Sequence, residues 1–489
     1  MTGRREKVTT YLSIAVSGLC LIVASMGPAT RASARSRYRV TRSRVADGIT
    51  LATIKDRRGP NEIKVLKVEP QGTPTLDVAL ANDELDGHET TSSMAARHHA
   101  VAAINGDFTL RPQDRGSGRP IDTFAEDGRM VTSPLIWGRN FSISRDETSV
   151  RFGHNRLDAW VVQRDSGQRW RVPAVNPLVQ PTDAYAIYTR AGGSVAKPPS
   201  DACSARLFAA DNQRWTSGRL GLERLYTVRK VQCGPQPLPR RRGIVLAAPI
   251  DSKQGAQMQT TLLPGESVVY GWSLNRYGIL DTIGGNPDLV EDGAVATGSC
   301  TTSYFCRANP RSGIGWKPDG TILLVTVDGR SKASIGMTPE QFARFFIHLG
   351  AKWALNLDGG GSTTMVVRDR VVNRPSSGYE RPVGSALVVL EGPDPDEVEP
   401  GEPLASPSPT PPLPTPVPSA AGVSRTRPAP LLDGFQGVMP ARCGALFDPG
   451  STGGLLDALA RGELNARDRD LGPSLRWAVR VFRGSAPCR

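Results

Sequence analysis

MTPEQFARFFIHLGAKWALNLDGGGSTTM, residues 337–365, places a helix, a strand and a polar turn in immediate succession. Thr338-Pro339-Glu340-Gln341 has the form of a capping box with proline at the first helical position. Phe342, Phe345, Phe346 and Leu349 follow at i, i+3, i+4 and i+7, which gives the helix one apolar face. Gly350 stops it. Trp353 to Leu357 then reads as a short buried strand, and it ends in Asp358-Gly359-Gly360-Gly361-Ser362-Thr363-Thr364.

Working outward, an earlier segment has the same plan. Ser92 to His99 suits a helix, Ala100 to Ile104 a short apolar strand, and Asn105-Gly106-Asp107-Phe108 a polar loop. Ala-Ile-Asn-Gly-Asp at 103–107 and Ala-Leu-Asn-Leu-Asp at 354–358 therefore repeat one pattern, so that two strand ends could each deliver an Asn and an Asp to one cleft. A third run, Thr321 to Val327, closes on Asp328-Gly329-Arg330, and Arg311-Ser312-Gly313-Ile314-Gly315 precedes it. A single Asp-Gly marks a turn. Three successive glycines let the backbone approach a ligand closely and can present several N–H groups to an anion. The expected fold class is α+β, with mixed sheets and short packed helices in the main body.

The chain has 489 residues, with 39% apolar and 22% charged residues, enough for a large core. Its formal charge is +13, but residues 1–45 hold nine Lys/Arg and one acid, so they supply +8 of it. With 6% aromatic residues and no basic stripe joined to stacking rings, nucleic acid is not an expected partner. Arg4, Arg5 and Lys7 precede an apolar run from Tyr11 to Met26 and Ala32-Ser33-Ala34, which predicts a secretory signal at 1–34 cleaved after Ala34. No later segment is long and apolar enough to remain as a membrane anchor. Cys203, Cys233, Cys300, Cys306, Cys443 and Cys488 remain after the signal, and an even count in an exported chain favours disulfides. The simplest of the 15 pairings of six cysteines joins 203 to 233, 300 to 306 and 443 to 488. No C-x-x-C occurs, which argues against structural zinc.

Residues 391–430 hold 13 of the 40 prolines and read as a stiff linker. It separates a main body at 45–390 from a small C-terminal region at 431–489, to which composition assigns no role. Oligomeric state is not legible here.

Two familiar site types do not fit. There is no G-x-x-x-x-G-K-[ST], and Met365-Val366-Val367 after the glycines is β-type rather than the helix a phosphate-binding nucleotide site needs. Ser362 is not within G-x-S-x-G and has no histidine nearby to act as its base.

The words ETTSSMAARHHAVAAINGDF (89–108), DTIGGNPDLVEDG (281–293), NPRSGIGWKPDGTILLVTVDGR (309–330), residues 337–365 and NRPS…RPVGSALVV (373–389) together resemble the phosphodiester glycosidase family. The resemblance covers most of 75–390 and does not reach the linker or the C-terminal region. It implies hydrolysis of a sugar joined through its anomeric carbon to a phosphodiester, releasing free sugar and a phosphomonoester. A phosphate leaves without needing a proton, so the demand falls on neutralising its charge, which arginine does best through its fixed fork. Asp107, Asp328 and Asp358 are then the expected catalytic carboxylates, with a turn cap as the plain alternative for Asp328. Expected substrate contacts are Asn105, Arg311, Arg330 and Asn356, with Gly359, Gly360, Gly361, Ser362 and Thr363. No cofactor is required, and the metal question stays open because clustered aspartates suit a hard cation such as calcium. The expected partner is a glycosyl phosphodiester or a wall or capsule polysaccharide, and the expected location is extracellular, with cell-wall association open. A non-catalytic carbohydrate-binding or wall-associated protein on the same scaffold is the competing expectation.

Overall fold

The computed structural model describes residues 37–394 apart from 58, 72–73, 111–116, 135–138, 145–149, 154–156, 211–213, 218–220, 239–241, 275–278 and 299–303. The expected signal at 1–34, the linker from residue 395 on, and the C-terminal region with Cys443 and Cys488 lie outside the described residues. Position 45 falls inside the strand Tyr38–Ala46, and the last described strand, Ser385–Glu391, runs to the expected linker boundary.

The fold is predominantly β, which corrects the α+β expectation: four sheets, of eight, nine, five and five strands, carry three α-helices among the described residues. The helices are α1 (Thr91–Arg97), α2 (Lys253–Thr261) and α3 (Pro339–His348). The opening motifs sit beside α1 and α3, whereas most of the chain between them is strand, with α2 the one α-helix there among the described residues. Pairing within the sheets is antiparallel except for Ala174–Val175 against Ala186–Ile187 in the nine-stranded sheet.

The local signals that predicted α3 are met in detail. Thr338 Oγ1 accepts from Gln341 N at 3.2 Å, and Gln341 Oε1 accepts from Thr338 N at 2.9 Å. Phe342, Phe345 and Phe346 are buried with Ile63, Val65, Val325 and Val327, so α3 lies on the eight-stranded sheet. Each ring contributes roughly 1.5–3 kcal/mol by leaving water, and this seating fixes where the chain re-enters the sheet as Trp353–Asn356. That strand pairs with Arg311–Trp316, which pairs in turn with Ile322–Val327. The strand Ala102–Asn105 belongs to a different, five-stranded sheet, between Met365–Val367 and Ser385–Glu391. A core of Leu66, Ile104, Ile314, Leu324, Leu355 and Leu387 joins the two sheets face to face.

In the nine-stranded sheet, Cys203 and Cys233 stand directly opposite each other on paired strands and form a disulfide. Cys306 is also disulfide-bonded, while its expected partner Cys300 lies outside the described residues. No helix among the described residues is long and apolar enough to cross a membrane.

Candidate active site

Packing the two sheets face to face brings the repeated Asn-x-Asp segments together. Asp358 N donates to Gly106 O at 3.0 Å, and Asn105 Nδ2 donates to Asp358 O at 2.7 Å. Asn105 Oδ1 accepts from Ser312 Oγ at 2.7 Å and from Thr364 N at 3.1 Å. Asn105 is wholly buried, and so is Asn356, whose Nδ2 donates to Asn286 O and Leu357 O at 2.9 and 2.8 Å. Both asparagines, expected to contact substrate, instead hold the strand ends in register from behind.

Asp358 is the partly open carboxylate of the group. Ser362 Oγ donates to its Oδ2, and Arg381 stands against both, with Nε donating to Ser362 Oγ at 3.1 Å and NH2 lying 3.7 Å from Asp358 Oδ2. Burial raises the Asp358 carboxyl above its ordinary range, while Arg381, Ser362, the Gly359 amide and Arg330 pull in the other direction. Arg330 and Arg381 are exposed on either side of the glycine turn. The geometry explains why the turn needs glycine. At Gly360, where φ is +62°, an added Cβ would lie 2.8 Å from Arg330 NH2; at Gly361 it would lie 2.8 Å from Ser377 Oγ and 3.0 Å from Arg381 NH1. The glycines let two guanidinium groups close on the backbone around Asp358. The expected anion cradle of amides is partly spent on the fold, since Gly360 N donates to Pro310 O at 2.9 Å.

Asp107 sits behind this cluster, 1% exposed. Its Oδ2 accepts from Asp122 N at 2.9 Å, its own amide donates to Ser385 Oγ, and its Oδ1 is buried without a partner among the described residues. Burial raises its carboxyl to about 7, with a further push from Asp358. Asp122, also buried, is raised well above the carboxylate range by burial and by Asp107. Asp107, raised to about 7 by burial, therefore adjoins an Asp358 flanked by cations, a division of environments typical of working carboxylate pairs.

Two expected site residues are buried beside the turn and committed to the fold. Arg311, expected to bind substrate, is 1% exposed and lies 4.5 Å over the Phe305 ring. Its Nε donates to Met337 O at 2.9 Å and its NH2 to Phe305 O and Arg307 O. Burial and the neighbouring Arg330 lower it to about 9. It is a pin for the 305–307 segment. Asp328, expected to be catalytic, is 5% exposed; it accepts from Arg374 N at 3.0 Å and Asn373 Nδ2 at 3.2 Å, and thus anchors the 373–374 loop. Thr363 is buried too, with Oγ1 unpartnered among the described residues, and its carbonyl accepts from Asn373 Nδ2 at 3.0 Å.

Sequence reasoning missed Arg381 and Asp122. Arg381 was within reach, since it stands in one of the words that carry the family resemblance. Nothing local distinguishes Asp122. The metal question has its own geometry: Asp77, Asp127 and Asp281 hold carboxylate oxygens all within 4.8 Å of one another, and the three expected aspartates are not in that group.

The fold and site define a predominantly β protein in which a carboxylate flanked by two exposed arginines sits at the junction of two sheets. Residues 226–390 match the family model for phosphodiester glycosidase, and the chain carries that domain over those residues. Asp358, Arg330 and Arg381 fall inside the match, whereas Asp107 and Asp122 precede it. The SPbeta prophage-derived uncharacterized protein YomE of Bacillus subtilis (strain 168) is 38% identical over 125 residues, 24% of this chain and 19% of that protein. This chain thus spans about a fifth of that relative's length. Among solved structures, a hypothetical protein from Synechocystis has a TM-score of 0.52 at 23% identity, over 70% of this chain and 62% of that one. A putative exported protein from Burkholderia pseudomallei K96243 has a TM-score of 0.54 at 18% identity, over 72% of this chain and 96% of that one. Both are likenesses of fold.

Proposed function

We propose that this protein is a secreted hydrolase that cleaves the anomeric bond of a glycosyl-1-phosphodiester, releasing free sugar and a phosphomonoester. The observation that carries the reading is the placement of exposed Arg330 and Arg381 on either side of Asp358. A diester phosphate that takes the place of Asn309 Oδ1 on Arg330 and of Ser362 Oγ on Arg381 sets the anomeric carbon near a carboxylate. Water attacks that carbon, Asp358 takes its proton, and the bond from carbon to the phosphate oxygen breaks with its electron pair leaving on the phosphate. The arginines neutralise the charge that develops there. Asp107 supports the step from behind, because in its neutral form it leaves Asp358 as the anion of the pair. Asn105 and Asn356 keep the two strand ends aligned. Export is supported by the signal reading and by the Cys203–Cys233 disulfide.

The test compares a sugar-1-phosphodiester with an aryl glycoside of the same sugar. Wild-type protein should strongly prefer the phosphodiester, and Asp358→Asn should fold normally yet lose roughly a hundredfold or more in kcat. Binding of the glycan with no turnover of either substrate would instead select the non-catalytic reading.

A further inference from the structure

In the nine-stranded sheet, the strands Ala202–Phe208 and Leu222–Cys233 run antiparallel with an extra residue on the second. Arg206 stands opposite Lys230 and Leu207 opposite Val228, so Arg229 is the extra residue of a β-bulge. The bulge interrupts the alternation of faces. Val228 and Val231 pack into the apolar core on one side of this sheet, while Arg229 and Lys230 between them are both exposed. In a regular ladder one of two consecutive residues would turn inward. Ala205 and Leu207 belong to the same core, which sends Arg206 to the opposite face with Arg229 and Lys230. Three cations thus share one face, and with Phe208 they line a groove of about 380 Å³. Among the described residues no carboxylate lines it, and none pairs with any of the three cations. Arg206 lies 5.6 Å over the Phe208 ring, a contact that brings no anion to its charge. Like charges directly opposite each other on paired strands destabilise the pair. The fold carries that cost here, with a further cation added by the bulge, although Arg229 and Lys230 contribute nothing to the core.

We propose that this groove is a docking surface for a phosphodiester-linked polysaccharide, distinct from the cleft at Asp358. None of the residues lining it builds that cleft. Each repeat of such a polymer carries one negative charge with two unesterified oxygens, which suit a guanidinium fork or an ammonium group. The sugar between successive charges presents an apolar C–H face, which the partly exposed Phe208 ring can meet. A single small anion leaves at least one of the three cations unmatched, whereas a chain of anions reaches them all. Nucleic acid has the same linkage, but its bases call for several stacking rings, and the groove holds one. The choice of phosphodiester over carboxylate as the repeated anion rests on the hydrolytic reading above, because a polymer held here is the chain on which that reaction acts.

The experiment measures binding of the full exported chain to an immobilised polymer of N-acetylglucosamine 1-phosphate by biolayer interferometry. Asp358→Asn is present throughout, so that the polymer is not consumed. Binding should weaken with added salt, and Arg229→Gln with Lys230→Gln should reduce affinity roughly tenfold or more. The same pair should leave the thermal midpoint unchanged or raise it, since it relieves the repulsion with Arg206; a lowered midpoint would mark these cations as structural and overturn the proposal. Lys253→Gln, exposed at the start of α2 and outside the groove, should change affinity by less than about twofold. Polygalacturonate and a DNA duplex of matched total charge should bind more weakly than the phosphodiester polymer. Equal affinity after the double substitution, an equal loss from Lys253→Gln, or tighter binding of either other polyanion would also overturn it. With Asp358 intact, the double substitution should leave kcat/KM unchanged on a short sugar-1-phosphodiester. A protein that binds the polymer through the groove but turns over no substrate fails the hydrolytic reading and keeps this surface.

Discussion

Replacing Arg381 by alanine separates two roles that the structure gives to one side chain. The first is electrostatic support of Asp358, whose Oδ2 lies 3.7 Å from Arg381 NH2. With Arg381 45% exposed, solvent screens the pair. Coulomb's law in a water-like dielectric then gives about 1 kcal/mol at that distance, or roughly sixfold in rate. Any substrate that uses Asp358 should suffer this loss. The second role is direct contact with the departing phosphate, a charge-assisted interaction that strengthens as the bond breaks and is worth about 2–4 kcal/mol. Only the phosphodiester substrate has that contact to lose. Arg381→Ala should therefore reduce kcat/KM for an aryl glycoside by about sixfold and for the sugar-1-phosphodiester by a further thirtyfold to several hundredfold, approximately. Arg381→Lys should recover the first loss better than the second, since it keeps the charge without the fork. Steady-state kinetics on the two substrates provides the assay. An equal loss on both, at any size, would refute the assignment of Arg381 to the phosphate.

Burial raises Asp107 from 3.8 to about 7, so the stability it contributes is complete below its unfolded value and is lost as pH rises through about 7. Asp107→Asn should flatten that decline, by up to about 4 kcal/mol across the window, in denaturation curves taken at a series of pH values; an unchanged slope would count against the buried neutral carboxyl. Arg311→Leu should cost about 3 kcal/mol of stability, because three backbone carbonyls each lose a donor, Met337 O and Arg307 O keeping only Asn309. It should leave kcat/KM per folded molecule near wild type, and a rise in KM at full stability would return Arg311 to the substrate.

Much of the scaffold around the site was legible from short-range signals. The capping box of α3, its aromatic spacing and the strand after Gly350 are each set by contacts within about a turn or two of chain, and each formed as expected. The repeat of Asn-x-Asp at 105–107 and 356–358 suggested two strand ends serving one cleft; the two ends do meet, but Asn105, Asn356 and Asp107 are buried there. The α content was overestimated because the two segments read in most detail, 92–108 and 337–365, each hold one of the three α-helices among the described residues. Strands such as Leu157–Gln163 and Leu222–Cys233 carry no motif and no regular alternation of burial, so periodicity marks them weakly.

The arginines show where sequence reading ends. Arg311, Arg330 and Arg381 are alike in composition and in their nearness to glycine or proline, yet the first is pinned inside and the other two face outward. From the sequence alone came the elements, the turn of three glycines and the pairing of the two aspartate words. The tertiary structure alone decided which aspartate is open, which is buried and raised in pKa, and which arginines stand exposed beside the glycine turn. Caps and periodicities act between residues a few positions apart. Burial and the commitment of hydrogen-bond donors are settled between residues such as Asn105 and Asp358, 253 positions apart, which meet only when two sheets close on a common core.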